Sequence, residues 1–226
     1  MRSMMEKTIR HLNLHLCAVW ECDPEGWPIT YPCHVIPERL TTFRPSGGDP
    51  SAFCHFFVDD YRFESLWSRP ERYIPVLRRY AGAVMPDFSL YTDMPYPAQQ
   101  WNHYRSLALM GMWQREGIEV VPNLNWSDER SLSFCCKGLP LGGTYAVGTQ
   151  GCLNTGEDRL RFADMLSRCC EKVKPDSLLL YGSERDLGID PSINVIWCPN
   201  DNHERAVGNA GHRDRKRIVA RNEEKD

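Results

Sequence analysis

Between residues 51 and 200, short apolar runs alternate with longer stretches of helical spacing, and no other feature restricts the fold so much. The runs are FCHFFV (53–58), AVM (83–85), IEVV (118–121), TYAVG (144–148), SLLLY (177–181) and NVIWC (194–198), each bounded by turn-forming residues. A run that is apolar at nearly every position suits a strand buried on both faces. Strands of that kind joined by helices pair in parallel through crossover connections. The expected fold is α/β: a predominantly parallel sheet of about six strands with crossover helices, arranged as an open sheet or an incomplete (β/α) barrel. Six strands fall short of a closed eightfold barrel.

The segments between the runs carry helix signals. Tyr61 to Tyr80 reads as two short pieces divided at SRPE, with Ser68 as a cap, Pro70 in a first turn, and a kink or a late start at Pro75. From Pro97 to Glu116, Trp101, Tyr104, Leu107, Ala108 and Gly111 follow helical spacing and Gly117 supplies the stop. Ser127 to Cys136 reads as a shorter helix capped by Ser127 or Asp128. Residues 156–173 place Leu160, Ala163, Leu166 and Cys170 on one face, ahead of Pro175.

Three regions follow: a Cys-, Pro- and Trp-rich segment (1–50) that caps one end of the sheet or covers an edge, the α/β domain (51–200), and a polar tail (201–226). With 226 residues, 42% hydrophobic and 25% charged, the chain fits a globular class and can bury a sizeable core. No apolar run reaches the roughly 18 residues that span a bilayer, and the first residues lack a signal-peptide pattern. A cytoplasmic protein without a membrane partner is expected. Ten cysteines, including the adjacent pairs Cys135-Cys136 and Cys169-Cys170 in helical patterns, read as small buried hydrophobes in a reducing compartment. Neighbouring cysteines on a helix would point to different faces.

Ligands of a parallel sheet bind beyond the carboxyl ends of its strands. There the sequence supplies DDY (59–61), PDFSLYTD (86–93), PNLNWSD (122–128), TQGCLNTG (149–156), GSERD (182–186) and PNDNH (199–203). If the first two predicted strands are neighbours, Asp59 or Asp60 approaches Asp87. Close carboxylates share a proton, hold a divalent cation, or pair with a cation of the substrate or an arginine. Consecutive strand residues face opposite ways, so one of Asp59 and Asp60 enters the cleft while the other caps the helix starting at Tyr61. These three aspartates are the catalytic candidates. Ser89, Tyr91, Trp126, Ser127, Asp128 and Tyr181 are the ligand-binding candidates, the aromatics offering stacking surfaces; Asp93 and Asp128 also read as helix caps.

Weaker constellations are His11, His15, Cys22, Cys33 and His34, whose spacing fits no standard zinc module, and the basic stretch HRDRKRIVAR (212–221), which reads as a solvated tail. The glycines of GTQGCLNTG can bring backbone N–H groups toward a phosphate, but the lysine of a P-loop is missing.

The strings HFFVDDYRFESLWSRPERY, PDFSLYTDMP, QQWNHYRS, GIEVVPNLNWSD and KPDSLLLYG resemble the bacterial, plasmid and phage family known as domain of unknown function 4417, from about His55 to Gly182. The resemblance implies a protein carried on mobile elements and implies no reaction. Pro75 and the cysteine-rich start depart from the family pattern. Residues and resemblance together lead to two expectations. One is an enzyme acting on a small polar or nucleotide-like ligand, in which an aspartate holds a divalent cation or acts as general base. The other is a non-catalytic mobile-element protein that binds nucleic acid or a host protein.

Overall fold

The computed structural model describes residues 12–16 and 21–200. Among these residues are seven strands: β1 (Leu40–Thr42), β2 (Phe53–His55), β3 (Gly82–Val84), β4 (Val120–Val121), β5 (Thr144–Gly148), β6 (Ser177–Tyr181) and β7 (Asn194–Cys198). They form a four-stranded sheet, β1-β2-β3-β4, and a three-stranded sheet, β5-β6-β7, in which every pair is parallel. A parallel bridge between Asn123 and Ala146 joins the two at β4 and β5. Spatial order therefore repeats chain order, each strand lying beside its predecessor.

The runs at 144–148, 177–181 and 194–198 coincide with β5, β6 and β7. The first run does not stay a strand to residue 58. After His55 the chain leaves the ladder, and Phe56 and Phe57 are buried in different clusters. The sequence reading also lacks β1, which pairs with β2 inside the segment before residue 51. Upstream of it, Thr30 bonds to the Gly138 carbonyl, and the Cys33 carbonyl accepts from the Thr144 N–H at the start of β5. This stretch thus lies across the amino ends of the strands.

Helices α1 (Ser65–Ser68) and α2 (Pro70–Leu77) follow β2, α3 (Tyr96–Arg115) follows β3, and α4 (Gly156–Val173) follows β5. Ser68 ends α1 and caps nothing; α2 starts at Pro70 and runs through Pro75 without a late start. The expected helix at 127–136 is a 3-10 turn, Glu129–Ser133, whose N-cap Asp128 accepts from the Arg130 N–H. Cys135 and Cys136 lie in the turns beyond it, outside any helix. On α4, Leu160 faces solvent, and the buried stripe is Phe162, Met165, Leu166, Cys169, Cys170 and Val173. Helix α3 is not amphipathic, because every residue from Arg105 to Trp113 is buried.

Alternation along the strands sorts the apolar residues into layers. Cys54, Ala83 and Val120 pack outward beneath α1, α2 and α3. Tyr145, Val147, Leu178 and Leu180 pack outward beneath α4. Leu40, Phe53, Val84, Val121, Ala146, Leu179 and Tyr181 turn the other way into a third core with Phe57. In that core the Tyr181 ring lies 4.2 Å from the His55 ring and 5.1 Å from the Phe57 ring, centroid to centroid. In a flat sheet the ends of β2 and β6 would be about four spacings apart, roughly 19 Å. The sheet is therefore rolled around its inner core, while β1 and β7 remain unpaired with each other. No helix among the described residues is long and apolar enough to cross a membrane. The polar tail from 201 onward, with its basic stretch, lies outside the described residues.

Candidate functional site

Rolling brings the carboxyl ends of β2 to β5 around one cleft of about 680 Å³. Phe57, Val58 and Asp59 follow β2, Asp87 and Ser89 to Asp93 follow β3, Asn125 to Ser127 follow β4, and Gly148, Gln150 and Cys152 end β5 and begin its loop. The first turns of α4 close the remaining side with Asp158, Arg161, Phe162 and Met165. Of the residues expected from sequence, Asp59, Asp87, Ser89, Tyr91, Trp126 and Ser127 line this cleft, whereas Asp60, Asp128 and Tyr181 do not.

Consecutive aspartates divide as strand alternation suggests, but with a different role for the second. Asp59 opens into the cleft and makes no side-chain capping bond. Asp60 reaches across to the β3 loop, where its carboxylate accepts from the Ser89 N–H (3.2 Å) and the Ser89 Oγ–H (2.8 Å). It fixes the loop that carries Asp87 instead of capping its own helix.

Asp87 sits at the foot of the cleft, half-buried, with Oδ1 accepting from Asn123 Nδ2 at 2.6 Å. Burial disfavours its charged form, and the neighbouring Asp60 charge adds to that; the Asn123 bond opposes both. The net effect raises the carboxyl to about 7. Asn123 is itself buried, and its Oδ1 has no hydrogen-bond partner among the described residues. Cys152 lies close enough that burial and the charges of Asp87 and Asp158 raise its thiol pKa. Asp128, by contrast, is held below the usual carboxylate range by the Arg130 side chain.

The aromatic candidates separate by exposure. Tyr91 is 62% exposed at the cleft mouth. Trp126 is half-buried and packs on Phe162 at 5.0 Å, forming part of the wall. Tyr181 belongs to the inner core. Beside it His55 is fully buried at the end of β2, with its Nδ1 accepting from the Phe57 N–H at 3.3 Å.

Sequence reasoning missed the layer that holds the cleft loops. Gln99 donates to the carbonyls of Tyr91 and Met94, both at 2.9 Å, and its Oε1 accepts from Ser127 Oγ at 2.6 Å. Asn102 donates to the Ser89 carbonyl (2.8 Å), and Asn125 to the Phe88 carbonyl (3.0 Å). Arg105 lies over the Phe88 ring at 3.8 Å and donates to Glu64 and Asn102, both at 2.6 Å. The available signal was polar residues at three-residue spacing, Gln99, Asn102 and Arg105, on a helix otherwise apolar enough to be buried.

His15 bonds Glu71, His34 lies 3.8 Å from Asp176, and Cys33 donates to Glu119. These residues and Cys22 thus do not converge, while His11 lies outside the described residues. The glycine loop 149–154 lines a separate polar cavity of about 290 Å³ with Gly182, Ser183, Arg185 and Asn200.

The family model described as "Domain of unknown function (DUF4417)" matches residues 30–197. The "Gene 1 protein" of Mycobacterium phage L5 is 43% identical over 154 residues, 68% of this chain and 67% of that protein. The "Gene 1 protein" of Mycobacterium phage D29 is 37% identical over 163 residues, 72% of this chain but only 60% of the phage protein. No solved structure matches.

Proposed function

From the premise that this chain belongs to the family Domain of unknown function (DUF4417), with relatives encoded by phages, we propose that it is an enzyme whose cleft performs proton transfer on a small polar ligand. The observation that carries this reading is Asp87, a carboxyl raised to about 7 at the foot of a cleft built from four successive strand ends. A group that gains and loses its proton near neutrality serves as general acid or base. Asp59 is the second carboxylate, Tyr91 and Trp126 offer aromatic surfaces to a ring of the ligand, and Ser127 is held by Gln99.

Charge narrows the ligand class. Asp59, Asp87, Asp93 and Asp158 line the cleft against one arginine, Arg161, whose side chain already pairs with Glu157. A bare phosphate is repelled there. A neutral or cationic ring, such as a nucleoside, base or sugar, enters directly. A nucleotide requires a divalent cation bridging Asp59 to its phosphates.

Thermal-shift titration with nucleosides, sugars, and nucleotides with and without magnesium tests this reading. One class should raise the melting temperature of the native protein, and Asp87→Asn should abolish that rise while remaining folded. If no class binds and Asp87→Asn unfolds the chain, Asp87 is a structural acceptor and the enzyme reading fails. The nucleic-acid or host-protein reading rests on the tail at 204–226, which lies outside the described residues, and on surface aromatics, of which Tyr31, Tyr61 and Tyr91 are exposed.

A further inference from the structure

We propose that Cys135, Cys136 and Cys169 form a binding site for one soft, thiophilic metal ion of the zinc class. Their sulfurs, from the turn after β4 and from helix α4, all lie within 4.8 Å of one another. The Cys135 to Cys136 and Cys135 to Cys169 separations are both 3.9 Å. Around an ion with metal–sulfur bonds of about 2.3 Å, ligand sulfurs stand about 3.8 Å apart in tetrahedral and about 4.0 Å apart in trigonal geometry. Two of the three sulfur pairs thus already have the spacing of a coordination face, and the third lies within 4.8 Å. Adjacent cysteines on a helix would diverge; the turn at 134–138 makes these two converge.

Surrounding groups favour an anionic cluster. Lys172 lies beside Cys135 and Cys136. Lys172 Nζ is anchored on the Leu132 carbonyl. His103 Nε2 meets the Lys137 carbonyl at 2.9 Å, tying α3 to the turn. Cys135 and Cys169 are buried, while Cys136 is half-buried and provides the way in. The site lies one turn beyond the cleft wall: Met165, which lines the cleft, precedes Cys169 by about 6 Å along α4 at 1.5 Å per residue.

The test is a titration of the metal-free, fully reduced, full-length protein with cadmium, followed by thiolate-to-metal charge-transfer absorption. One equivalent should bind, and cadmium should displace zinc bound beforehand. Cys136→Ser and Cys169→Ser should each weaken binding roughly tenfold or more, and Cys152→Ser should leave it unchanged. Should the buried Cys169→Ser fail to fold, alkylation mapping of the unaltered protein decides: zinc should protect Cys135, Cys136 and Cys169 but not the exposed Cys152. Absence of a stoichiometric band, its persistence in Cys136→Ser, or equal alkylation with and without zinc overturns the proposal.

Discussion

Asp87 links the stability of the protein to pH in a direction opposite to a salt-bridged aspartate. Its carboxyl is raised in the folded state, chiefly by burial, so the native protein binds that proton more tightly than the unfolded chain. The associated stabilisation is complete below the ordinary carboxylate range and is lost as pH rises through about 7. Asp87→Asn should therefore be at least as stable as the native protein at pH 8, with no comparable advantage at pH 4, as read from melting temperatures across that range. An unchanged pH profile in the variant would mean that Asp87 titrates alike in the folded and the unfolded chain. Asp60 acts on the same residue from a different position. Removing it in Asp60→Ala strips two hydrogen bonds from Ser89, which should cost about 1–3 kcal/mol. It should also lower the Asp87 titration midpoint, a shift that carboxyl-labelled NMR detects and that a purely structural loss would not produce.

At the scale of elements, helix α4 carries both the cleft wall and one thiol of the cluster, so its start must be fixed. Thr155 caps it: its Oγ accepts from the Asp158 N–H at 3.1 Å, and Asp158 Oδ2 accepts from the Thr155 N–H at 3.0 Å. Thr155→Ala should cost about 1 kcal/mol, a fall of about 2–4 °C in melting temperature for a chain of this size. Calorimetry checks this, and no change would mean that packing alone sets the helix start. The capping residues stood in the sequence as TGED, yet the apolar spacing drew attention to Leu160, which the fold leaves exposed. Long periodic segments and fully apolar strands were legible because burial on both faces leaves no other arrangement. The edge strand β1 was not, since LTT has no apolar run and owes its conformation to β2. The cleft was legible where side chains follow strand ends directly, at Asp59, Asp87, Ser89 and Tyr91. It was not legible at Gln99, Asn102 and Arg105, which hold its loops from another element, nor at the three thiols, which only the turn brings together.

At the scale of the whole molecule, the rolled sheet is what converts separate strand ends into one cleft, and Phe57 is the residue on which rolling can be tested. Its ring packs on Tyr181 from β6, and a Cβ on Gly148 of β5 would come within 2.8 Å of it. Glycine at that strand end therefore leaves room for a ring arriving from three strands away. Phe57→Ala should cost about 3–5 kcal/mol, lowering the melting temperature by on the order of 10 °C. That loss alone would follow from any buried phenylalanine. The discriminating measurement is a double-mutant cycle of Phe57→Leu and Tyr181→Leu by chemical denaturation. In the rolled sheet the pair should couple by about 0.5–1.5 kcal/mol. In a flat sheet the two rings would lie beyond contact and the changes would add to within about 0.5 kcal/mol. Additivity would thus remove the rolled sheet, and with it the single cleft in which Asp59 and Asp87 meet Trp126 and Cys152.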